Sequence, residues 1–209
     1  MDKTTKPLIL LAGNSRSLLS SINRIITKHD IDVVIANDGV QAVNMMNKVE
    51  YSCLIVDETI SRIPANKVIK EFSRRCNKPS ILLTNTSSLN SSLLKERNGN
   101  AFILKPFSKD TFEFVLSKVM EFSTKEDLTF NNAEISFQNN SISYNGTQSF
   151  LSFMELLVFD KISSKDKDYS FYKDKDIPIV INCLNEKLRE TNINWAIEYS
   201  QEEGGFKVS

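Results

Sequence analysis

Five short apolar runs recur along the first half of the chain, each followed by a stretch with helical spacing. Residues 7–12 (PLILLA) are continuously apolar, as expected of a strand buried on both faces. Residues 17–28 (SLLSSINRIITK) set Leu18, Leu19, Ile22, Ile25 and Ile26 on one helical face. The alternation then repeats. A strand at 31–36 (IDVVIA) precedes a helix opened by Asp38-Gly39 and carrying Val40, Ala42, Val43 and Met46. A strand at 52–56 (SCLIV) ends at Asp57 and leads to a helix near 65–75. Strands at 80–84 (SILLT) and 101–104 (AFIL) lead to helices near 88–97 and 109–121. Short parallel strands need crossover helices, and right-handed crossovers put helices on both faces of the sheet. The pattern predicts an α/β fold with a doubly wound five-stranded parallel sheet. Such sheets bind ligands beyond the carboxyl ends of their strands, and Asp57, Thr84 and Lys105 all fall there.

The second half changes style after a polar link at 123–128 (STKEDL). Residues 133–137 (AEISF) and 141–144 (SISY) alternate, with Asn139-Asn140 able to turn between them. Asn145-Gly146 is a second hairpin signal. Ser152 and Glu155 form a capping-box pair ahead of a helix carrying Leu156, Leu157, Phe159 and Ile162. Residues 163–176 are highly charged and read as a solvated loop. Pro178 opens a helix at 178–190. Residues 193–199 and 205–208 read as a closing hairpin around Gln201–Gly204. The expected organisation is one domain over 1–122, the link, and a smaller α+β domain over 129–209.

Charge alters this picture more than composition does. The net charge is zero, with 26 Lys+Arg against 26 Asp+Glu. Residues 1–122 hold 17 of those cations and 12 of the anions, and residues 123–209 hold 9 and 14. The second half is therefore acidic by five charges, a poor match for nucleic-acid phosphates. No run of eighteen apolar residues predicts a membrane span, and the N-terminal run is too short for a signal peptide. Cys53, Cys76 and Cys183 lack metal-ligand spacing and fit reduced thiols in a cytoplasmic protein. His29, the one histidine, sits beside Asp30 at an expected helix end. No Gly-rich phosphate loop or Ser/His/Asp arrangement points to an enzyme.

Residues 7–121 resemble the receiver domain of bacterial two-component response regulators, a flavodoxin-like fold. The resemblance rests on ANDGVQA at 36–42, LIVD at 54–57, KPSILLT at 78–84 and GNAFILKPF at 99–107, in that order. It implies that Asp57 is the phosphoacceptor-equivalent, Thr84 the switch hydroxyl, Phe102 the switch aromatic and Lys105 the phosphoryl-contacting lysine. It also implies a cis bond between Lys105 and Pro106. Receivers place an acidic pair just after the first strand, and this chain has Gly13 and Asn14 there. Magnesium wants hard, mostly anionic oxygen ligands, so its binding is expected to be weak or absent and no cofactor is expected. With fewer carboxylates nearby, Lys105 is expected to pair directly with Asp57. Glu58 should point away from Asp57 by side-chain alternation.

Residues 133–208 resemble the winged-helix effector domain of OmpR/PhoB-type regulators. ISYNG at 142–146, LSFMELLVF at 151–159, IVINCLNEKL at 179–188 and GGFKV at 204–208 carry this likeness. The recognition-helix equivalent offers Asn182, Asn185, Lys187 and Arg189 as DNA contacts, while Glu186 and Glu190 repel phosphate. The preceding support helix is expected to be missing or reduced to a turn at Tyr169–Tyr172. The resemblance implies a homodimer through the fourth helix, fifth strand and fifth helix of the receiver. Two functions follow as expectations. One is an atypical, phosphorylation-independent response regulator that contacts DNA weakly to regulate transcription. The other is a pseudo-receiver scaffold acting only through protein–protein contacts.

Overall fold

The structure, a computed structural model, describes residues 6–76, 78–85, 101–164, 177–200 and 205–209. The chain divides into two compact units, Met1–Ser123 and Thr124–Ser209. In the first, strands β1 (Leu8–Ala12), β2 (Asp32–Ala36), β3 (Cys53–Asp57), β4 (Ser80–Asn85) and β5 (Ala101–Lys105) form one parallel sheet in the order β2-β1-β3-β4-β5. The described helices of this unit are α1 (Arg16–Ile26), α2 (Gly39–Met46), α3 (Ala65–Cys76) and α4 (Lys109–Phe122). The helix expected near 88–97 lies outside the described residues.

Local chemistry starts three of these helices where the sequence indicated. Ser15 accepts from the Leu18 amide, Asp38 Oδ1 from the Gln41 amide at 2.8 Å, and Ser108 Oγ from the Thr111 amide at 3.0 Å. Each side chain satisfies a helix N–H that has no intrahelical acceptor. All five residues of β3 are buried, the signature of a central strand covered on both faces. Leu10, Ala12, Leu54 and Val56 pack with Ala42 and Met46 of α2 and with Val68 and Phe72 of α3. On α1 and α4, Leu19, Ile22, Phe112, Val115 and Val119 are also buried, and the two helices touch.

Gly39 is required by a close approach. A Cβ there would stand 2.4 Å from the Ile63 carbonyl oxygen, and the Gly39 amide donates to Ser61 O at 3.0 Å. The start of α2 is thereby pressed against the loop that follows β3, which is also the loop that follows Asp57.

The second unit opens with a four-stranded antiparallel sheet, β6 (Leu128–Phe130), β7 (Ala133–Ser136), β8 (Ser141–Tyr144) and β9 (Thr147–Phe150), in sequence order. Helices α5 (Phe153–Ser164) and α6 (Ile177–Glu190) follow, and β10 (Ile197–Ser200) pairs with β11 (Gly205–Val208). Two tight turns use residues that tolerate left-handed backbone. Asn145 and Gly146 have φ of 49° and 81°, as the Asn-Gly signal required. Asn131 and Asn132, at 46° and 66°, make a comparable turn between β6 and β7.

The capping box at α5 is formed in both directions. Glu155 N donates to Ser152 Oγ at 3.3 Å, and Ser152 N donates to Glu155 Oε2. Within the stretch read as a link, Leu128 already belongs to β6. Lys125 pairs with buried Asp160 and lies 4.6 Å from the Phe137 ring centroid. Strand β10 begins later than expected, at Ile197, although Ala196 already exchanges two backbone hydrogen bonds with Ser209, at 3.0 and 2.9 Å. The charged loop lies mostly, and the Tyr169–Tyr172 turn and Gln201–Gly204 entirely, outside the described residues.

Candidate functional site

Asp57 ends β3 and Lys105 ends β5, so two parallel strands deliver an acid and a base to the same edge of the sheet. Lys105 Nζ donates to both carboxylate oxygens of Asp57, at 3.1 Å and 3.0 Å. The Asp57 side chain is 2% exposed and that of Lys105 19% exposed. Thr59 adds two donors to Asp57 Oδ1, its amide at 2.7 Å and its hydroxyl at 2.6 Å. Burial would push the Asp57 carboxyl up and is the largest single influence. The Thr59 and Lys105 donors together outweigh it and hold the group below the usual carboxylate range. The Lys105–Pro106 bond is cis.

Thr84 ends on the same edge and is fully buried, yet its hydroxyl is directed at Glu58 Oε2, at 2.7 Å. The Asn85 amide donates to the same oxygen at 3.1 Å. Glu58 thus holds the end of β4. Phe102 is half-buried in the middle of β5, across from Leu82.

The positions after β1 explain why the pocket holds one carboxylate. A Cβ at Gly13 would lie 3.0 Å from Asp57 Cβ and 3.3 Å from Leu19 Cδ2, so any side chain there is crowded. Asn14 is spent on the loop after β3. Its Nδ2 donates to Thr59 O at 2.7 Å, and its Oδ1 accepts from the Ser61 amide and hydroxyl, each at 3.1 Å. A divalent cation would need these same oxygens. Asp57 is bridged by an ammonium, the Thr59 carbonyl faces an amide, and Asn14 Oδ1 already takes two donors. Among the described residues no group of three or more His, Cys, Asp or Glu could hold a metal.

Sequence reasoning missed Thr59, Ser61 and the role of Glu58. Thr59 carried a local signal, since an aspartate commonly accepts from the amide two residues on. Ser61 and Glu58 carried none, because their partners lie on other strands or loops.

In the second unit the four candidate DNA contacts on α6 divide. Asn182 and Arg189 are exposed, with Arg189 Nε bonded to the Asn185 carbonyl at 3.1 Å. Asn185 and Lys187 depart from that expectation. Asn185 Nδ2 donates to Ile197 O and its Oδ1 accepts from Ile197 N, both at 2.9 Å, which fixes the start of β10. Lys187 Nζ donates to Glu155 Oε2 at 2.6 Å, and that carboxylate is 2% exposed. Both bind within the chain because buried polar groups here demand partners. The exposed positions of α6 also include Glu186, Glu190 and Ile179, the last 58% exposed.

No family model matches the chain. It is 19% identical over 211 residues to the response regulator protein GraR of Staphylococcus epidermidis, covering 91% of this chain and 94% of that relative. Similar solved structures include the receiver domain of a Francisella response regulator (TM-score 0.51, 22% identity, 57% of this chain and 100% of that one). A response regulator receiver protein from Sinorhizobium medicae matches at TM-score 0.50 and 19% identity, over 56% of this chain and 95% of that one. The receiver domain of a Pseudomonas aeruginosa sensor histidine kinase, which has magnesium coordinated in its active-site cleft, matches at TM-score 0.50 and 18% identity, over 56% and 98%. The first unit has the receiver fold, with its five parallel strands in the order β2-β1-β3-β4-β5.

Substitutions in both units test this geometry. Lys105→Met strands a buried carboxylate and lowers stability by about 3 kcal/mol in urea unfolding. Asp57→Asn costs less, because Lys105 can swing toward solvent, and the double variant recovers part of the loss. Because the folded Asp57 carboxyl lies below its unfolded value, its contribution is complete above the ordinary carboxylate range. That contribution fades as pH falls below about 4, and Asp57→Asn shows a flatter acid limb. On α6, Lys187→Ala destabilises the chain by about 3 kcal/mol through the stranded Glu155, whereas Arg189→Ala stays within about 0.5 kcal/mol. Equal effects would contradict the inward assignment of Lys187.

Proposed function

We propose that the chain is an atypical response regulator in signal transduction, whose first unit works without phosphoryl transfer. The carrying observation is the Asp57 carboxylate, bridged by Lys105 at 3.1 Å and 3.0 Å and doubly bonded by Thr59. Transfer of a phosphoryl group to a carboxylate crowds negative charge, which needs a divalent cation to neutralise it. This pocket supplies an ammonium but no second carboxylate, so magnesium binding is weak or absent. Asp57 is then a structural anion, with Thr84, Phe102 and Lys105 holding the receiver positions without their switching role. The full-length likeness to GraR supports the signalling assignment.

The second unit is read as an effector of the winged-helix type, from its order of elements and that same likeness. Its output runs through protein–protein contacts. The surface of α6 supports this, since Lys187 and Asn185 are committed internally while Ile179, Glu186 and Glu190 are exposed. The homodimer implied by the receiver resemblance would use a face of which β5 and α4 are described and the helix near 88–97 is not. A second reading, weak DNA binding in transcription regulation, is favoured by the exposed Asn182 and Arg189.

Incubation with magnesium and acetyl phosphate should leave the intact mass unchanged. A stoichiometric acyl phosphate at Asp57 would overturn the first proposal. In a salt titration against duplex DNA, no binding that falls steeply with salt is expected. Each phosphate contact adds roughly one unit to that slope, so a slope of several units would establish the second reading instead.

A further inference from the structure

The loop after β3 is held by an unbroken chain of hydrogen bonds. Asp57 Oδ1 takes the Thr59 amide and hydroxyl, the Thr59 carbonyl takes Asn14 Nδ2, and Asn14 Oδ1 takes the Ser61 amide and hydroxyl. Three hard oxygens are therefore held by one run of linked donors after β3: the Asp57 carboxylate, the Thr59 carbonyl and Asn14 Oδ1. Hard oxygens gathered in this way are what a divalent cation draws together. Here polar hydrogens draw them together instead.

We propose that the Asn14 side chain is a built-in substitute for a divalent cation, latching the 57–61 loop from inside with no ligand bound. This deepens the phosphorylation-independent reading and rests on it. The amide is suited to the task because it offers both polarities. Its nitrogen meets an acceptor, the Thr59 carbonyl, and its oxygen meets two donors on Ser61. An aspartate of the same shape would keep the Ser61 donors but set an oxygen against the Thr59 carbonyl. Two acceptors in contact repel, and a cation between them would relieve the repulsion. One change of nitrogen to oxygen thus converts a latch that needs nothing into one that needs a metal. Position 14 permits that change, whereas a side chain at Gly13 meets Asp57 Cβ at 3.0 Å.

The test compares the full-length chain with Asn14→Asp and Asn14→Ala, each in EDTA and in millimolar magnesium. Hydrogen exchange is followed in the peptide spanning residues 57–63, with circular dichroism melting as a check on global fold. The wild type should exchange at the same rate in both buffers. Asn14→Asp should exchange roughly five- to tenfold faster in EDTA, the loss of about one hydrogen bond, and slow toward wild type in magnesium. Asn14→Ala should exchange fast in both. Wild-type exchange slowed by magnesium, wild-type protection of Asn14→Asp in EDTA, or an Asn14→Asp chain indifferent to magnesium would each overturn the proposal. Acyl phosphate formation by the wild type bears on the functional reading alone, so the two failures are distinguishable.

Discussion

A carboxylate almost sealed from water at the end of the central strand is the constraint around which the first unit is arranged. Leaving such a charge unpaired is strongly destabilising, so the surrounding chain must supply donors. Lys105 comes from β5, two strands away in the sheet, and Thr59 from the loop directly after Asp57. Because the donors come from separate segments, the pair fixes the strand register and the loop together. The Asn14 bridge and the Glu58 contact with Thr84 and Asn85 extend the same arrangement to β1 and β4.

This arrangement bears on switching. A two-state switch needs a ligand that favours one state over the other. At this edge the polar groups that would greet a phosphoryl–metal pair already bind one another. The ammonium holds both carboxylate oxygens, the Thr84 hydroxyl is turned to Glu58, and the Asn14 amide sits on the Thr59 carbonyl.

The second unit follows the same rule with different residues. Glu155 and Asp160 on α5 are buried and draw in Lys187 and Lys125. Glu155 also closes the capping box with Ser152, so one carboxylate both starts a helix and ties α5 to α6. The lysine it recruits comes from α6 and is turned inward to that carboxylate. Phe130, Phe159 and Trp195 pack edge to face within the same unit, with ring centroids 5.4 to 6.4 Å apart. Part of the polar face of α6 is thereby committed to its own unit.

Local chemistry made much of this legible in advance. Continuous apolar runs defined β1, β3 and β4, helical spacing defined α1 and α4, and Ser152 with Glu155 announced the start of α5, because each signal depends only on neighbours along the chain. The Asn-Gly turn was equally plain, while the Asn131-Asn132 turn passed unnoticed and with it the short strand β6. Strand ends placed Asp57, Thr84 and Lys105 on one edge, since parallel connectivity brings the carboxyl ends together. Only the tertiary structure decided which of those groups bond to one another. Glu58 takes the Thr84 hydroxyl, Asn14 reaches Ser61 across 47 positions, and Lys187 turns inward to a carboxylate 32 positions away. Such pairings follow from where burial strands a polar group, and burial is a property of the packed chain that no stretch of sequence contains by itself.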